Sequence, residues 1–509
     1  ARDLRARCIL EQAREKQENE PKLIRLLERE EITPELADEA RRLLCSRLTE
    51  REEHAAAVPF WEALYAEDGT DLEVAYGLVA SLTQSEGWSR AAEVAFEAFP
   101  RERKQGPELT RVQGMLEMGL YCATVAKDVA GMKKLGRVWI ENRRDDHACY
   151  ERLLPAARTL RDVSGNDDAL ELLNRFAREV EEVSVAHRVA LEIAWLEFTE
   201  GRMERAEKLV AAALRAGAKT PSLGDLLFAL GEARFESEPA LARAHYTNAL
   251  ENSGNVKVLT AARCLYNLGF EASNRQESLL AAQYFEELGT GERYKKSALR
   301  GEALTLAGEA AFLGGEPERA TRLLTLQREQ FPRHQTASRA LFRLAQSAMA
   351  VEEFSEVDGA LRELARVAPD FEPAVECDFM RGLALARLKK PGEARRALRR
   401  VIETDVASGL FAARARLELG QLAEAEGDEE AALSEYLKVA LLFGGDAEAC
   451  EALVRAGDVL QARGDAEAAR DRWQECIARG SKKSRSDEPK PDAERTAVWV
   501  GAARERLAE

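Results

Sequence analysis

The sequence predicts an all-α fold: a solenoid of about 12–13 stacked helix–turn–helix repeats, closed by a C-terminal helix. Three observations predict it. Ala, Leu, Glu and Arg, all strong helix formers, dominate the 509 residues. Small residues recur with a period of 37 to 39 positions. Strand patterns, in which apolar and polar residues alternate, are nearly absent. Hydrophobic residues make up 45% of the chain, too many for a disordered polymer.

The N-terminal stretch 1–70 reads as divergent helical repeats, assigned on hydrophobic spacing, with Cys8 and Cys45 at the small position. Its opening, ARDLRARCILEQAREKQENE, is charged throughout and lacks the apolar core of a signal peptide. A cytoplasmic location is expected; the alternative is the periplasm or cell envelope, had a signal peptide preceded Ala1.

Residues 71–480 hold the repeats. In 304–332, Gly308 is followed by Ala311, Gly315, Ala320, Leu324 and Pro332. In 417–446, Gly420 is followed at the same offsets by Ala423, Gly427, Ala432, Tyr436 and Gly444. The small residue falls at Ala194, Gly231, Gly269, Gly308, Ala345, Gly382, Gly420 and Gly457, with weaker copies at Ala157, Gly119 and Ala80. A small residue on one helix lets the next approach closely, and a larger one later fills the space beside that contact. One pair cannot bury its apolar faces alone, so stacked neighbours share a continuous core.

These residues resemble the tetratricopeptide repeat, in a long-period, bacterial-type form. The resemblance implies a right-handed array whose first helices line a concave groove and whose function is protein binding. The period exceeds the family's usual 34 residues, and the surplus is expected in longer second helices or longer joins, such as 330–338. Pro-ended copies of this length are loosely similar to bacterial envelope-assembly lipoproteins.

Residues 481–495, SKKSRSDEPKPDAER, read as a polar linker or exposed loop. Residues 496–509 read as a capping helix through Val498, Trp499 and Leu507; a docking peptide is the competing reading.

Chemistry is sparse. The five histidines form no HExxH, and neither a P-loop nor a GxGxxG after a strand is present. No catalytic residue, metal ligand or cofactor is expected. The net charge of −16 argues against a general nucleic-acid binder, and no apolar run is long enough to insert in a membrane. The eight cysteines contain no CxxC. Most replace alanine at small buried positions, as Cys264, Cys377 and Cys476 do, and should be free thiols. The clusters Arg395, Arg396, Arg399, Arg400 and Arg41, Arg42, Arg47, Arg51 read as charged outer faces, with a local patch for an acidic partner as the alternative.

The family pattern points four positions of each first helix into the groove, at offsets −6, −3, +1 and +4 from the small residue. Aromatics concentrate there: Trp195, Phe198, Phe228, Phe235, Tyr266, Phe270, Phe312, Phe342 and Phe379. They are more than a quarter of the aromatics in the whole chain. Such a stripe is either a partner-binding groove or packing between neighbouring helices. For the first, Phe235, Phe270, Phe312 and Phe342 should be partly exposed. The family's clamp for C-terminal carboxylates does not carry over: Asn267 matches one position, but Asp225 and Glu302 stand where lysines are needed. The expected partner is a peptide or helix of another protein. The alternative is a structural subunit of a larger, possibly cell-envelope, assembly that uses the outer faces.

Overall fold

The computed structural model describes residues 2–29, 32–100, 106–142, 145–252, 256–372, 374–405, 409–443, 446–481 and 493–508. Among them are 27 α-helices, two short 3-10 turns and no strand. The all-α stack of helix pairs is the expected one. The chain divides into two compact units, Ala1–Val256 and Lys257–Glu509, a division that the sequence pattern does not mark.

The first unit runs through seven helix pairs: α1 (Arg2–Glu15) and α2 (Glu20–Glu28), α3 (Pro34–Glu50) and α4 (His54–Glu67), α5 (Leu72–Gln84) and α6 (Trp88–Glu97), α7 (Gly106–Val125) and α8 (Val129–Glu141), α9 (Asp146–Ser164) and α10 (Asn166–Glu179), α11 (Val183–Thr199) and α12 (Met203–Arg215), α13 (Pro221–Arg234) and α14 (Pro239–Asn252). The second has six pairs: α15 (Val258–Asn274) and α16 (Ser278–Thr290), α17 (Arg300–Leu313) and α18 (Pro317–Gln330), α19 (Ala337–Ala350) and α20 (Phe354–Val367), α21 (Ala374–Arg387) and α22 (Pro391–Thr404), α23 (Leu410–Ala425) and α24 (Glu429–Leu442), α25 (Asp446–Ala462) and α26 (Ala466–Gly480). A last helix, α27 (Ala493–Ala508), follows.

Each pair is made by the contact that the repeat pattern describes. A Cβ at Gly420 would lie 2.4 Å from the ring of Tyr436, sixteen residues on, and that ring is fully buried. Gly231 meets Tyr246 and Gly457 meets Trp473 in the same way. Gly308 and Gly382 meet leucines, Leu324 and Leu398, at the same offset. Where alanine holds the small position, Val210 stands sixteen residues after Ala194 and Leu361 after Ala345, all four buried.

The turn inside each pair is equally regular. Seven residues after the small position the backbone turns left-handed, at Gly201, Gly315, Gly427 and Gly464, but also at Gln276, Glu352 and Lys389; the copy of Gly231 is the exception, with no left-handed residue at Glu238. Glycine takes this conformation without cost, and the others carry a steric penalty. The next residue is the N-cap of the second helix; Asp428 and Asp465 fill this place, accepting from the amides of Ala431 and Ala468.

Three sequence assignments need adjusting. In the copies of Ala80, Gly119 and Ala157 the left-handed residue is Glu86, Lys127 and Gly165, so small residue and turn part by one position. Cys8 is exposed, and Ala6, Leu10 and Ala13 form the buried side of α1 instead. The surplus over 34 residues lies outside the second helices, which span 13 to 15 residues from α12 to α26. It sits in the joins and in longer first helices such as α15 and α25, of 17 residues each. The join between α18 and α19 is pinned by Thr336, which shares a 2.8 Å hydrogen bond with Thr305 on α17.

At the C-terminus α27 lies on α25 and α26, with Val500 and Ala503 buried against Cys450, Trp473 and Cys476. Glu448 on α25 ties it down: its Oε1 accepts from Arg414 of α23 at 3.0 Å and from Arg495 of α27 at 2.9 Å. Residues 482–492, most of the expected linker, lie outside the described residues.

Candidate functional site

The aromatic stripe falls partly in each unit. In the first, Trp195 and Phe198 on α11 meet edge to face at 5.8 Å and are both half-buried. Phe228 on α13 and Phe235, just past its C-terminus, flank Tyr246 at 5.9 and 6.4 Å. Phe235 is half-buried, whereas Phe228 is 9% exposed. Phe228 therefore belongs more to the pair's own packing than to any open face. The Tyr246 hydroxyl donates to Glu232 at 2.7 Å.

In the second unit Tyr266 and Phe270 on α15 are 4.8 Å apart, and both rest edge-on against buried Phe285 of α16. Burial and the Glu302 carboxylate bonded to its hydroxyl push the Tyr266 phenol up to about 12. Phe312 on α17 lies under the Arg343 guanidinium, 5.0 Å from its carbon. Phe342 stacks at 5.5 Å on Phe371, and Phe379 at 5.5 Å on Phe411. Tyr266, Phe270, Phe312, Phe342 and Phe379 are all half-buried. Each of these rings is thus packed against neighbouring side chains and still partly exposed.

A polar network threads these rings, and it is the part that the aromatic pattern alone misses. Arg343 donates to Gln346 at 2.7 Å, and Gln346 donates to Glu376 at 2.9 Å. Arg339 grips Glu309 through two hydrogen bonds. The Nε of Arg343 is buried without a partner.

The sequence signal for this network is offset −6. From Glu151 the residues there are Arg188, Asp225, Arg263, Glu302, Arg339, Glu376, Arg414 and Glu451: nine successive charges of alternating sign. Arg188 pairs with Glu151 of the preceding repeat at 2.8 Å, and Arg339 feels the Glu302 charge. Successive first helices thus attract each other at these two places, α9 with α11 and α17 with α19.

Six of the eight clustered arginines pair with neighbouring carboxylates; Arg396 and Arg399, both exposed, show no carboxylate partner among the described residues. Glu20, buried on α2, accepts from Arg51 at 2.9 Å and Arg47 at 3.3 Å; Arg42 reaches Asp71 at 2.8 Å. Arg400 bonds Asp378 and Arg395 bonds Glu426. All eight thiols are free, six of them buried; burial pushes the half-buried Cys377 up to about 12. Among the described residues no group of His, Cys, Asp and Glu could hold a metal ion, and no helix is long and apolar enough to cross a membrane.

What fold and face together define is a tetratricopeptide-type helical repeat protein with an aromatic, charge-laced surface. No protein-family model matches the chain, and no curated protein does. Solved structures similar to it include MamA from Desulfovibrio magneticus RS-1, 17% identical, covering 35% of this chain and 92% of its own, with a TM-score of 0.29. A tetratricopeptide repeat protein from Parabacteroides merdae is 15% identical, over 52% of this chain and 96% of its own, with a TM-score of 0.27. The anaphase-promoting complex assembly Cut9-Hcn1 is 13% identical over 92% and 96%, with a TM-score of 0.29. The fold stands on the packing of this chain's own helices described above.

Proposed function

We propose that the chain is a non-catalytic scaffold that binds a peptide or helix of another protein against its first-helix face. The observation that supports this best is the second unit's row of half-buried rings, Tyr266, Phe270, Phe312, Phe342 and Phe379, interleaved with the network of Arg343, Gln346 and Glu376. Rings give contact area at little rotamer cost, and the network supplies donors and acceptors for a partner's backbone. The free, mostly buried thiols fit a reducing compartment, the cytoplasm.

A photo-reactive phenylalanine analogue at position 312 tests the site. It should crosslink the partner in the native complex, and the same group at exposed Arg396 on α22 should not. The reverse pattern moves binding to the outer faces and supports a structural subunit of a larger assembly. Phe270→Ala with Phe312→Ala should weaken partner binding more than tenfold, at about 2 kcal/mol or more per anchor. If the rings serve only the core, each substitution costs about 3–5 kcal/mol of stability and affinity stays.

A further inference from the structure

A second surface lies in the first unit. Between α10 and α12, with contributions from α8 and α11, runs a cleft of about 700 Å³. That volume is in the range of ligand sites. Its floor is apolar: Leu172 and Ile193 are 3% and 5% exposed, and Leu209 is half-buried.

Its walls are basic. Lys133, Arg137, Arg175, Arg178, Arg205 and Lys208 line it against only three acids, Asp168, Glu171 and Glu197. In a chain of net charge −16 such a wall is unusual. The three acids are already engaged. Lys133 holds Asp168 at 2.6 Å and Glu171 at 2.8 Å; Arg137 also bonds Glu171; Arg202 bonds Glu197 and Arg205 stands 3.8 Å from it. Arg175 bonds Glu141 through its terminal nitrogen, while its Nε is buried with no partner. That leaves Arg178 and Lys208, both exposed, with no carboxylate partner among the described residues.

We infer that this cleft binds an acidic, leucine-bearing peptide segment of a partner protein, its carboxylates on Arg178 and Lys208 and its apolar side chains on Leu172, Ile193 and Leu209. The cleft draws on three successive repeats. At helix spacings of 8–10 Å it extends on the order of 20 Å, about six residues of extended chain, which is more than a single small anion fills. Nucleic acid fits less well, because an apolar floor and three resident carboxylates offer little to a phosphate backbone. Charge complementarity of this kind sets specificity and association rate.

The probe is a fluorescein-labelled hexapeptide, Leu-Glu-Glu-Leu-Leu-Glu, titrated with the full chain by fluorescence anisotropy. Its counterpart replaces each Glu with Lys. The acidic peptide should bind saturably and the basic one should not, and the affinity should fall as salt rises. Arg178→Glu with Lys208→Glu, both on the surface, should weaken binding more than tenfold with unchanged circular dichroism. Leu209→Ser should weaken it severalfold, and Phe270→Ala with Phe312→Ala should leave it unchanged. Equal binding of both peptides, indifference to the charge reversal, displacement by free glutamate at matched ionic strength, or preference for a single-stranded oligonucleotide would each overturn the inference.

Discussion

The contact between Gly420 and Tyr436 can be tested as a double-mutant cycle in which one substitution changes sign. A Cβ at position 420 falls 2.4, 2.7 and 2.9 Å from three atoms of the Tyr436 ring. The ring cannot swing away, because it is fully buried and its hydroxyl donates to Glu424 at 2.7 Å. Overpacking of this kind costs about 1–3 kcal/mol. Alanine inside a helix recovers about 1 kcal/mol over glycine. Gly420→Ala should therefore destabilise by roughly 0–2 kcal/mol. Tyr436→Ala alone should cost about 3–5 kcal/mol. In that background the obstruction is gone, and Gly420→Ala should stabilise by about 1 kcal/mol. Urea unfolding followed by circular dichroism measures all four proteins. Stacked repeats can unfold in parts, so the same transition must be compared throughout. Equal destabilisation by Gly420→Ala in both backgrounds would refute the steric argument.

Three further predictions follow from local geometry. Glu448→Gln removes the buried carboxylate that bridges Arg414 and Arg495; with both arginines partly exposed it should cost about 1–3 kcal/mol and speed hydrogen exchange in α27 before the helices preceding α25. Burial works to raise the Glu448 pKa, but hydrogen bonds from the two arginines hold it below the ordinary value. Its contribution is hence full above about pH 4.3, the ordinary glutamate value, and fades as pH falls through the depressed folded value. An acid titration of α27 exchange protection should show that loss in the native protein and not in the Gln variant. Lys389→Gly places glycine at a left-handed turn where Gly315, Gly427 and Gly464 already stand; it should raise the unfolding midpoint, with a gain of up to about 1 kcal/mol. Thiol titration should find eight reactive groups after denaturation, while in the native protein Cys8 reacts first.

The repeat was legible in the sequence because its determinants are local and recur. Small residue, turn and partner sit at fixed offsets, and the contacts of Gly420 and Gly457 follow from them; Gly231 meets its ring, Tyr246, one position early. Upstream the signal blurs. Gly119 packs on Ala95 of the preceding helix as well as facing Leu135, so its spacing no longer sets the turn. The division at Val256 is marked by no change in periodicity. The aromatic face was legible as a stripe but not in its depth: Phe228 and Phe235 occupy equivalent helical faces, yet only Phe228 is driven fully against Tyr246. The cleft between α10 and α12 was not legible, because its lining comes from residues 133 to 209 on three second helices and one first helix, each an ordinary helix surface by itself.

The alternating charges at offset −6 give the array a parity. In the second unit Glu302, Arg339 and Glu376 succeed one another at this offset, and the Glu302 charge acts on Arg339. Excising the one pair α19–α20 would bring Glu302 and Glu376 to successive positions, like after like. Excising two consecutive pairs would keep the signs in order. At this one position, then, the pattern repeats over a doublet of repeats, one cationic and one anionic.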